Sequence, residues 1–310
     1  MSGPVFAERR RRARDADDPA AALRAEREFL MTDADFQRVR KLAYALAGIS
    51  LSGGKMDMAY NRLSRVLRAR KLRAMREFLE IVEAGDGVAQ QQFINALTTN
   101  LTRFFREAAH FDILADLLRT ARAPRPLEIW CAGCSTGEEA YSIAMTALET
   151  LGPEAPVRVL ATDVDTDVLR RAQAAEYPRA SASDIPLPRL RRFFLEGTGA
   201  NEGKVRPRAE VTRMVRFEHH NLLAPEWPRR GPFAAIFCRN VMIYFDAATQ
   251  MAVLEKFAPL LHDDGLLFAG HSEYYAHAVR RWTRVAHAVY QRVPGASDAP
   301  PPRMPRQEPR

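Results

Sequence analysis

The sequence predicts an α/β fold: a mostly parallel sheet wound with helices and preceded by a helical domain. Three observations carry this expectation. After Pro124, short apolar runs of strand length recur at 127–131, 157–161, 215–218, 233–238 and 266–269. Helical stretches at about 138–151, 165–175 and 247–261 lie between most of them, and strands alternating with helices argue for a parallel sheet. Before Pro124 the apolar residues follow a helical period instead. The length of 310 residues sets an expectation of about two domains. With 47% hydrophobic and 27% charged residues, a collagen, a disulfide scaffold and a wholly disordered chain are excluded.

Residues 1–28 are mostly Arg, Ala, Asp and Glu, with too little apolar surface to offset ordering entropy, and are expected to be disordered. A helical domain is expected over 29–105. Thr32 or Asp33 can cap a first helix carrying Phe36, Val39, Leu42 and Leu46. A Ser/Gly turn at 50–54 precedes a second helix with Leu63, Val66 and Leu67 on one face. Phe78, Leu79 and Val82 start a third, and Phe93, Leu97, Leu101, Phe104 and Phe105 mark a fourth. The sheet domain is expected over 106–293. It is interrupted at about 178–214 by a segment with no long helical stripe, read as a small inserted β-subdomain. Ala286–Val293 alternates and suits a final edge strand. Residues 294–310 contain six prolines and read as a disordered tail.

No run of 18 apolar residues exists, so no membrane span or insertion is expected. The N-terminus lacks the apolar stretch of a secretory signal, and three cysteines make no disulfide framework, which points to a reducing cytoplasm. The net charge is 46 − 38 = +8, which favours an acidic partner.

The first strand leads into Ala132-Gly133-Cys134-Ser135-Thr136-Gly137-Glu138-Glu139. Small residues at a strand end that open a helix let a ligand approach the backbone, and open α/β sheets bind ligands at that crevice. The dinucleotide pattern G-x-G-x-x-G is absent. Two carboxylates open the helix, where a pyrophosphate site would exclude them. A positively charged cofactor without phosphate, such as S-adenosylmethionine, fits better. Asp163 ends the second strand, where a carboxylate can accept both hydroxyls of a ribose; it also suits a cap for the following helix. Cys131 and Cys134 form a C-x-x-C with no second Cys/His pair, and read as small residues lining the loop. His219, His220 and His271 lack metal spacing, so no metal is assigned.

Five stretches together resemble the chemotaxis receptor methyltransferases, the CheR family. They are Thr98–Glu107 (TTNLTRFFRE), Ser135–Met145 (STGEEAYSIAM), Ala161–Leu169 (ATDVDTDVL), Phe237–Asp246 (FCRNVMIYFD) and Gly270–Glu273 (GHSE). The resemblance covers roughly residues 30–293. It implies a class I methyltransferase with a Rossmann-like sheet, an N-terminal helical receptor-docking domain and a small inserted β-subdomain. It also implies an enzyme that methylates glutamate side chains of chemoreceptor helices, with S-adenosylhomocysteine as product. By motif position, Asn100, Thr102 and Arg106 look like cofactor contacts, with Arg106 pairing the methionine carboxylate. Glu139 would hold the ammonium group, Asp163 the ribose, and Asn221 and Leu222 the adenine side. Arg239 and Asn240 would lie beside the cofactor, and Tyr244 nearest the transferred methyl. Arg106 and Tyr244 are the candidate catalytic pair. Without the resemblance, Arg106 reads as a surface arginine and Tyr244 as a core residue. One departure is Ala140, where the family has proline; no contact group is lost.

The predicted reaction is an in-line displacement at the sulfonium methyl by a carboxylate that is already ionised at neutral pH, so no strong base is needed. Residues 60–76 hold seven basic side chains and no acid, and Arg62, Arg65 and Arg68 recur on one helix face. A solvated helix face normally mixes signs, so this one reads as a docking face for acidic receptor helices. Nucleic acid is the rival partner, but interleaved aromatics are missing, and no nucleic acid is expected. The glycine-rich loop Gly197–Gly203 resembles that of family members whose subdomain adds a receptor's C-terminal pentapeptide as an extra strand. The chain is expected to act as a monomer. The rival function is a catalytically silent sensor of S-adenosylmethionine or S-adenosylhomocysteine.

Overall fold

A computed structural model describes residues 28–121, 126–227, 231–275 and 281–293. The two ends expected to be disordered lie outside the described residues, apart from Glu28. The chain divides into two compact units. One runs to Thr99 and includes Val164–Asp167; the other comprises Asn100–Asp163 and the chain from Val168 onward.

The first unit is all helical: α1 (Asp33–Ala47), α2 (Met56–Arg70), α3 (Met75–Glu83) and α4 (Gly87–Leu97). Thr32 caps α1 in a reciprocal box with Asp35, and Gly48 ends it in the left-handed conformation at φ 68°. Asp86 caps α4 through Ala89 N at 2.6 Å. The apolar stripes converge on one core of Phe36, Val39, Leu63, Leu67, Phe78, Leu79 and Phe93. The structure corrects the fourth helix. It stops at Leu97, and residues 98–108 are irregular, with Phe105 and Glu107 at positive φ. The apolar spacing of Leu101, Phe104 and Phe105 mimics a helix, but Leu101 is exposed, and Phe104 and Phe105 pack in the second unit, where Phe104 meets Tyr177 and Phe194 edge-on.

The second unit opens with α5 (Ala109–Thr120), a helix the sequence reading missed. It then alternates β1 (Leu127–Ala132), α6 (Glu138–Leu151), β2 (Val157–Asp163) and α7 (Thr166–Ala174). The inserted segment carries β3 (Tyr177–Pro178), α8 (Leu187–Phe193), β4 (Phe194–Glu196), β5 (Lys204–Pro207) and α9 (Ala209–Thr212). The chain ends with β6 (Val215–His219), β7 (Phe233–Cys238), α10 (Ala247–Phe257), β8 (Leu261–Ala269), β9 (Trp282–Ala286) and β10 (Val289–Arg292). The α/β expectation holds. Seven strands form one sheet in the order β6-β2-β1-β7-β8-β10-β9, parallel from β6 through β8 and antiparallel beyond. A correction falls at the end of the chain. The alternating stretch 286–293 pairs on both sides, and the edge is β9. The inserted segment forms a three-stranded antiparallel sheet, β3-β5-β4.

The inner strands β1, β2 and β7 are buried on both faces, which is why they read as apolar runs. Alternate residues of β1 serve opposite layers. Ile129 and Cys131 pack with Phe111, Leu114 and Met145 of α5 and α6; Trp130 and Ala132 pack with Leu254 and Phe257 of α10.

Candidate active site

The site is built where β1, β2, β7 and β8 end. From β1 the chain passes to β2 on one side, and β7 pairs on the other, which makes the crevice between their carboxyl ends the place where such sheets bind ligands.

The loop after β1 folds back over β2, with Gly133 N and Cys134 N both donating to the Thr162 carbonyl, at 2.8 and 2.9 Å. The turn needs positive φ at Gly133 (86°) and Gly137 (95°). A Cβ on Gly133 would stand 2.3 Å from Val241 Cγ2, so only glycine lets the β1 loop approach the β7 loop. Ser135 N donates to Asp163 Oδ2 at 2.8 Å, and Ser135 Oγ donates to the Asn100 carbonyl at 3.4 Å. These bonds gather Asn100, the loop and the buried Asp163 carboxylate. The side-chain cap of α7 is Asp165, whose Oδ1 accepts from Asp167 N at 2.8 Å.

A second group centres on Arg239, at the end of β7, whose side chain is 1% exposed. Its Nη1 lies 2.9 Å from Glu139 Oε2 and its Nη2 lies 3.0 Å from Glu107 Oε2. Nη2 also donates to the Arg106 carbonyl at 2.5 Å. One buried cation thus balances two carboxylates and ties down the backbone of Arg106. Burial pushes the Glu139 carboxyl up, against the pull of Arg239, and the net direction is upward. At Glu107 burial acts the same way and is the largest single cause, but the Arg239 guanidinium and the His271 N–H together hold the carboxyl below its ordinary value. The Cys131 thiol donates to Glu139 Oε1 at 3.3 Å. Burial pushes both Cys131 and Cys134 well up, so the C-x-x-C pair stays as two buried protonated thiols.

The remaining expected contacts are placed as follows. Arg106 is half-buried, and its Nη1 donates to the Leu101 carbonyl at 3.0 Å. Thr102 is half-buried in the same irregular stretch. Asn221 Oδ1 accepts from Leu223 N at 2.9 Å, and Leu222 is buried in the layer that holds Trp130. Asn240 sits at φ 59°, and Tyr244 is half-buried on a single turn of 3-10 helix. Thr102 and Tyr244 make no hydrogen bond to the Asp163 or Arg239 groups among the described residues.

The basic face of α2, in the other unit, is less uniform than its sequence. Arg62 donates to the Leu97 and Thr98 carbonyls at 2.9 and 2.7 Å, capping the end of α4. Arg68 pairs with Glu28 at 2.6 Å, and Arg65 is exposed with no ion pair among the described residues.

Sequence reasoning missed Glu107, His110 and Glu273, although Glu107 and Glu273 stand inside the quoted stretches. Their partners lie far along the chain, as Arg239 does from Glu107. It also missed a cluster. One ligand-type atom from each of Glu107, His110 and His271 lies within 4.8 Å of the others. His110 Nε2 lies 3.1 Å from the His287 carbonyl, which can only accept, so Nε2 carries the proton and Nδ1 is bare. These three side chains could hold a metal by ligand type. The guanidinium of Arg239 already sits 3.0 Å from the same Glu107 oxygen and supplies the positive charge there, so a second cation would be repelled.

The donor set fits a cofactor that is cationic and carries ribose hydroxyls. Glu139 stands in the first turn of α6 and Asp163 at the end of β2, and the loop that leads from β1 into α6 has no phosphate-binding glycine pattern. Comparison with known proteins agrees. Residues 100–290 match the family model described as CheR methyltransferase, SAM binding domain, and residues 34–98 match CheR methyltransferase, all-alpha domain. Chemotaxis protein methyltransferase 2 of Pseudomonas aeruginosa is 49% identical over 265 residues, covering 85% of this chain and 94% of that one. The chemotaxis protein methyltransferase of Escherichia coli is 48% identical over 271 residues, covering 86% and 94%. A solved TehB-like SAM-dependent methyltransferase from Corynebacterium glutamicum aligns over 58% of this chain and 87% of its own, at 16% identity and a TM-score of 0.35. The two family matches, in register with the helical unit and the sheet unit, show that the chain belongs to the CheR methyltransferase family.

Proposed function

We propose that this chain transfers the methyl group of S-adenosylmethionine to glutamate side-chain carboxylates of chemoreceptors, giving glutamate methyl esters and S-adenosylhomocysteine. The observation that carries the reading is the pair of acids at the crevice, Glu139 in the first turn of α6, its side chain 12% exposed, and the buried Asp163 at the end of β2, in a domain whose family binds this cofactor. When bound, the cofactor supplies an electrophilic methyl on a sulfonium. Glu139 would hold its ammonium group, Arg106 its carboxylate, Asp163 its ribose hydroxyls, and Asn100, Thr102, Asn221, Leu222 and Asn240 would complete the enclosure. Arg239 is committed to Glu139, Glu107 and the Arg106 carbonyl, and so acts as a positioning residue for the first two contacts. Tyr244 would orient the incoming carboxylate. That carboxylate has a reference pKa of about 4.3 and arrives ionised, so the chain's task is alignment and exclusion of water.

The finer partner reading follows from surface charge and sheet edges. Arg65, with Arg62 and Arg68 beside it, would face the acidic receptor helix. The edge strand β4 would accept a receptor C-terminal pentapeptide by strand addition. No helix among the described residues is long and apolar enough to cross a membrane, and the three cysteines are free, in keeping with action in the cytoplasm.

The test uses labelled S-adenosylmethionine and receptor-containing membranes. Label on receptor that mild base releases is the expected result, and Arg106→Ala should abolish it. Cofactor binding by calorimetry without any transfer would favour the silent sensor. Absence of binding would overturn the reading.

A further inference from the structure

Glu273 has no part in the reading above, yet it is among the most committed side chains in the molecule. It closes the turn after β8, with its own N–H donating to the Gly270 carbonyl at 2.8 Å, and it is 5% exposed. Its carboxylate turns inward. Oε2 accepts from Gly270 N at 2.5 Å and from Asn240 N at 3.0 Å; Oε1 accepts from Ile243 N at 3.2 Å. The Met242 N–H adds a fourth backbone contact. No Lys, Arg or His pairs with this carboxylate among the described residues. Its compensation is the set of N–H dipoles, three of them from the loop that follows β7.

That loop needs holding. Asn240 lies at φ 59°, a region that costs a non-glycine residue free energy. The turn that follows, Met242–Tyr244, is a single 3-10 turn. The approach of the two loops is also enforced from the other side. A Cβ on Gly270 would lie 2.3 Å from Asn240 Nδ2 and 2.9 Å from Asn240 N, so glycine there is what admits the contact. β7 and β8 are neighbours in register, with Cys238 opposite Ala269, and the carboxylate therefore staples the exits of two adjacent strands.

We propose that Glu273 is a positioning residue for methyl transfer: its buried carboxylate gathers the N–H groups of Asn240, Met242, Ile243 and Gly270, and so fixes the loop that presents Asn240 to the cofactor and Tyr244 to the reacting carboxylate. The inference rests on the proposed methyl transfer for the roles of Asn240 and Tyr244. It makes no use of Glu273 as an acid or base, because every contact of its oxygens is with backbone.

The experiment compares the full chain with Glu273→Gln, Tyr244→Phe and the double variant in the receptor methylation assay, with cofactor affinity by calorimetry. Glutamine keeps the size and one acceptor but turns an NH2 toward backbone donors. Glu273→Gln should lower kcat at least tenfold and weaken cofactor binding more than threefold, because one loop carries both Tyr244 and Asn240. The double variant should lose no more than about twofold beyond Tyr244→Phe alone, because the two act through one loop. Amide exchange gives a readout independent of any variant: in the unaltered chain the Asn240 and Ile243 amides should be protected. Unprotected amides, a Glu273→Gln kcat within twofold of the original, or fully multiplicative losses in the double variant would each overturn the inference while leaving methyl transfer intact. Absence of transfer by the unaltered chain would overturn both.

Discussion

Replacing Arg239 with methionine removes a buried cation and leaves its two anions in place. Methionine fills most of the volume, so the cavity term is small and the change reads out charge. The side chains of Arg239, Glu139 and Glu107 are 1%, 12% and 11% exposed, which leaves little water to take over the solvation. Breaking a buried pair from one side typically costs about 3–5 kcal/mol. Here two carboxylates lose one shared partner, and the Arg106 carbonyl loses its donor, so the upper half of that range is expected. All three tryptophans, Trp130, Trp227 and Trp282, lie in the sheet unit, so urea unfolding followed by tryptophan fluorescence reports the unit that carries the change. The deficit should shrink as pH falls from 8 toward 5, because the orphaned carboxylates can then take up protons and become neutral. The triple variant Arg239→Met/Glu107→Gln/Glu139→Gln should recover most of the stability without recovering cofactor binding. A deficit below about 1 kcal/mol that is flat with pH would refute the argument that one guanidinium balances both acids.

Three further predictions follow from other parts of the structure. Gly133→Ala should cost about 1–2 kcal/mol from its φ of 86° alone, plus the contact with Val241, and should weaken cofactor binding in calorimetry; Val241→Ala in the same chain should relieve the contact and leave the backbone strain. Burial and the nearby Arg239 hold the His110 imidazole down to about 4, while the unfolded chain titrates near its ordinary value, so the unfolded state binds the extra proton between those two pH values. His110 alone should therefore lower stability by about 3 kcal/mol as pH drops through that window, against the opposite contribution of the raised Glu139 carboxyl, so the difference between the unaltered chain and His110→Gln in urea titrations should carry the loss; Glu107, held low, contributes its own loss only at lower pH. Arg62→Ala should lower the thermal midpoint by undoing the cap on α4, whereas Arg65→Glu should leave the midpoint unchanged and raise KM for receptor; an unchanged KM at low salt would refute the docking face.

What the sequence made legible follows the range of the interactions involved. Strands β1, β2, β6 and β7 and the helix Glu138–Leu151 are apolar runs and stripes bounded by small residues, and local pattern placed them within a few residues, whereas β9 was not expected and β8 begins five residues earlier than its apolar run. The stretch 98–108 misled because Phe104 and Phe105 fall at helical spacing while their partners belong to a different layer; Phe104 packs on Tyr177 and Phe194, contacts no periodicity encodes. Asp163 at the end of β2 and Glu139 at the start of α6 were legible because their position in the motif implies their place beside the sheet. The partners of those acids were not. Arg239 could be read as a residue beside the cofactor, but its commitment to Glu107 and Glu139 spans 132 and 100 positions. Likewise the three-arginine face of α2 is a sequence pattern, whereas the use of Arg62 as a helix cap is a tertiary fact.

The buried state of Glu139 has a consequence for cofactor binding that separates it from an ordinary surface acid. An ammonium group is held by a carboxylate only while that carboxylate is ionised. Burial pushes the Glu139 carboxyl above its ordinary value despite Arg239, so its ionised fraction begins to fall at a pH where exposed carboxyls are still fully charged. Cofactor affinity should therefore decline as pH is lowered through the weakly acid range, because a proton competes with the ammonium for the same oxygens. The competition is specific to this residue. The neighbouring Glu107 shares the same guanidinium but is held low and stays ionised over that range. Calorimetric titration of S-adenosylmethionine from pH 8 to pH 5 should show the loss, and Glu139→Gln should bind weakly with no pH dependence over the same interval. If the unaltered chain binds equally well across that interval, Glu139 is not the group that meets the ammonium, and its pairing with Arg239 is then purely a matter of holding the end of β7 against the start of α6.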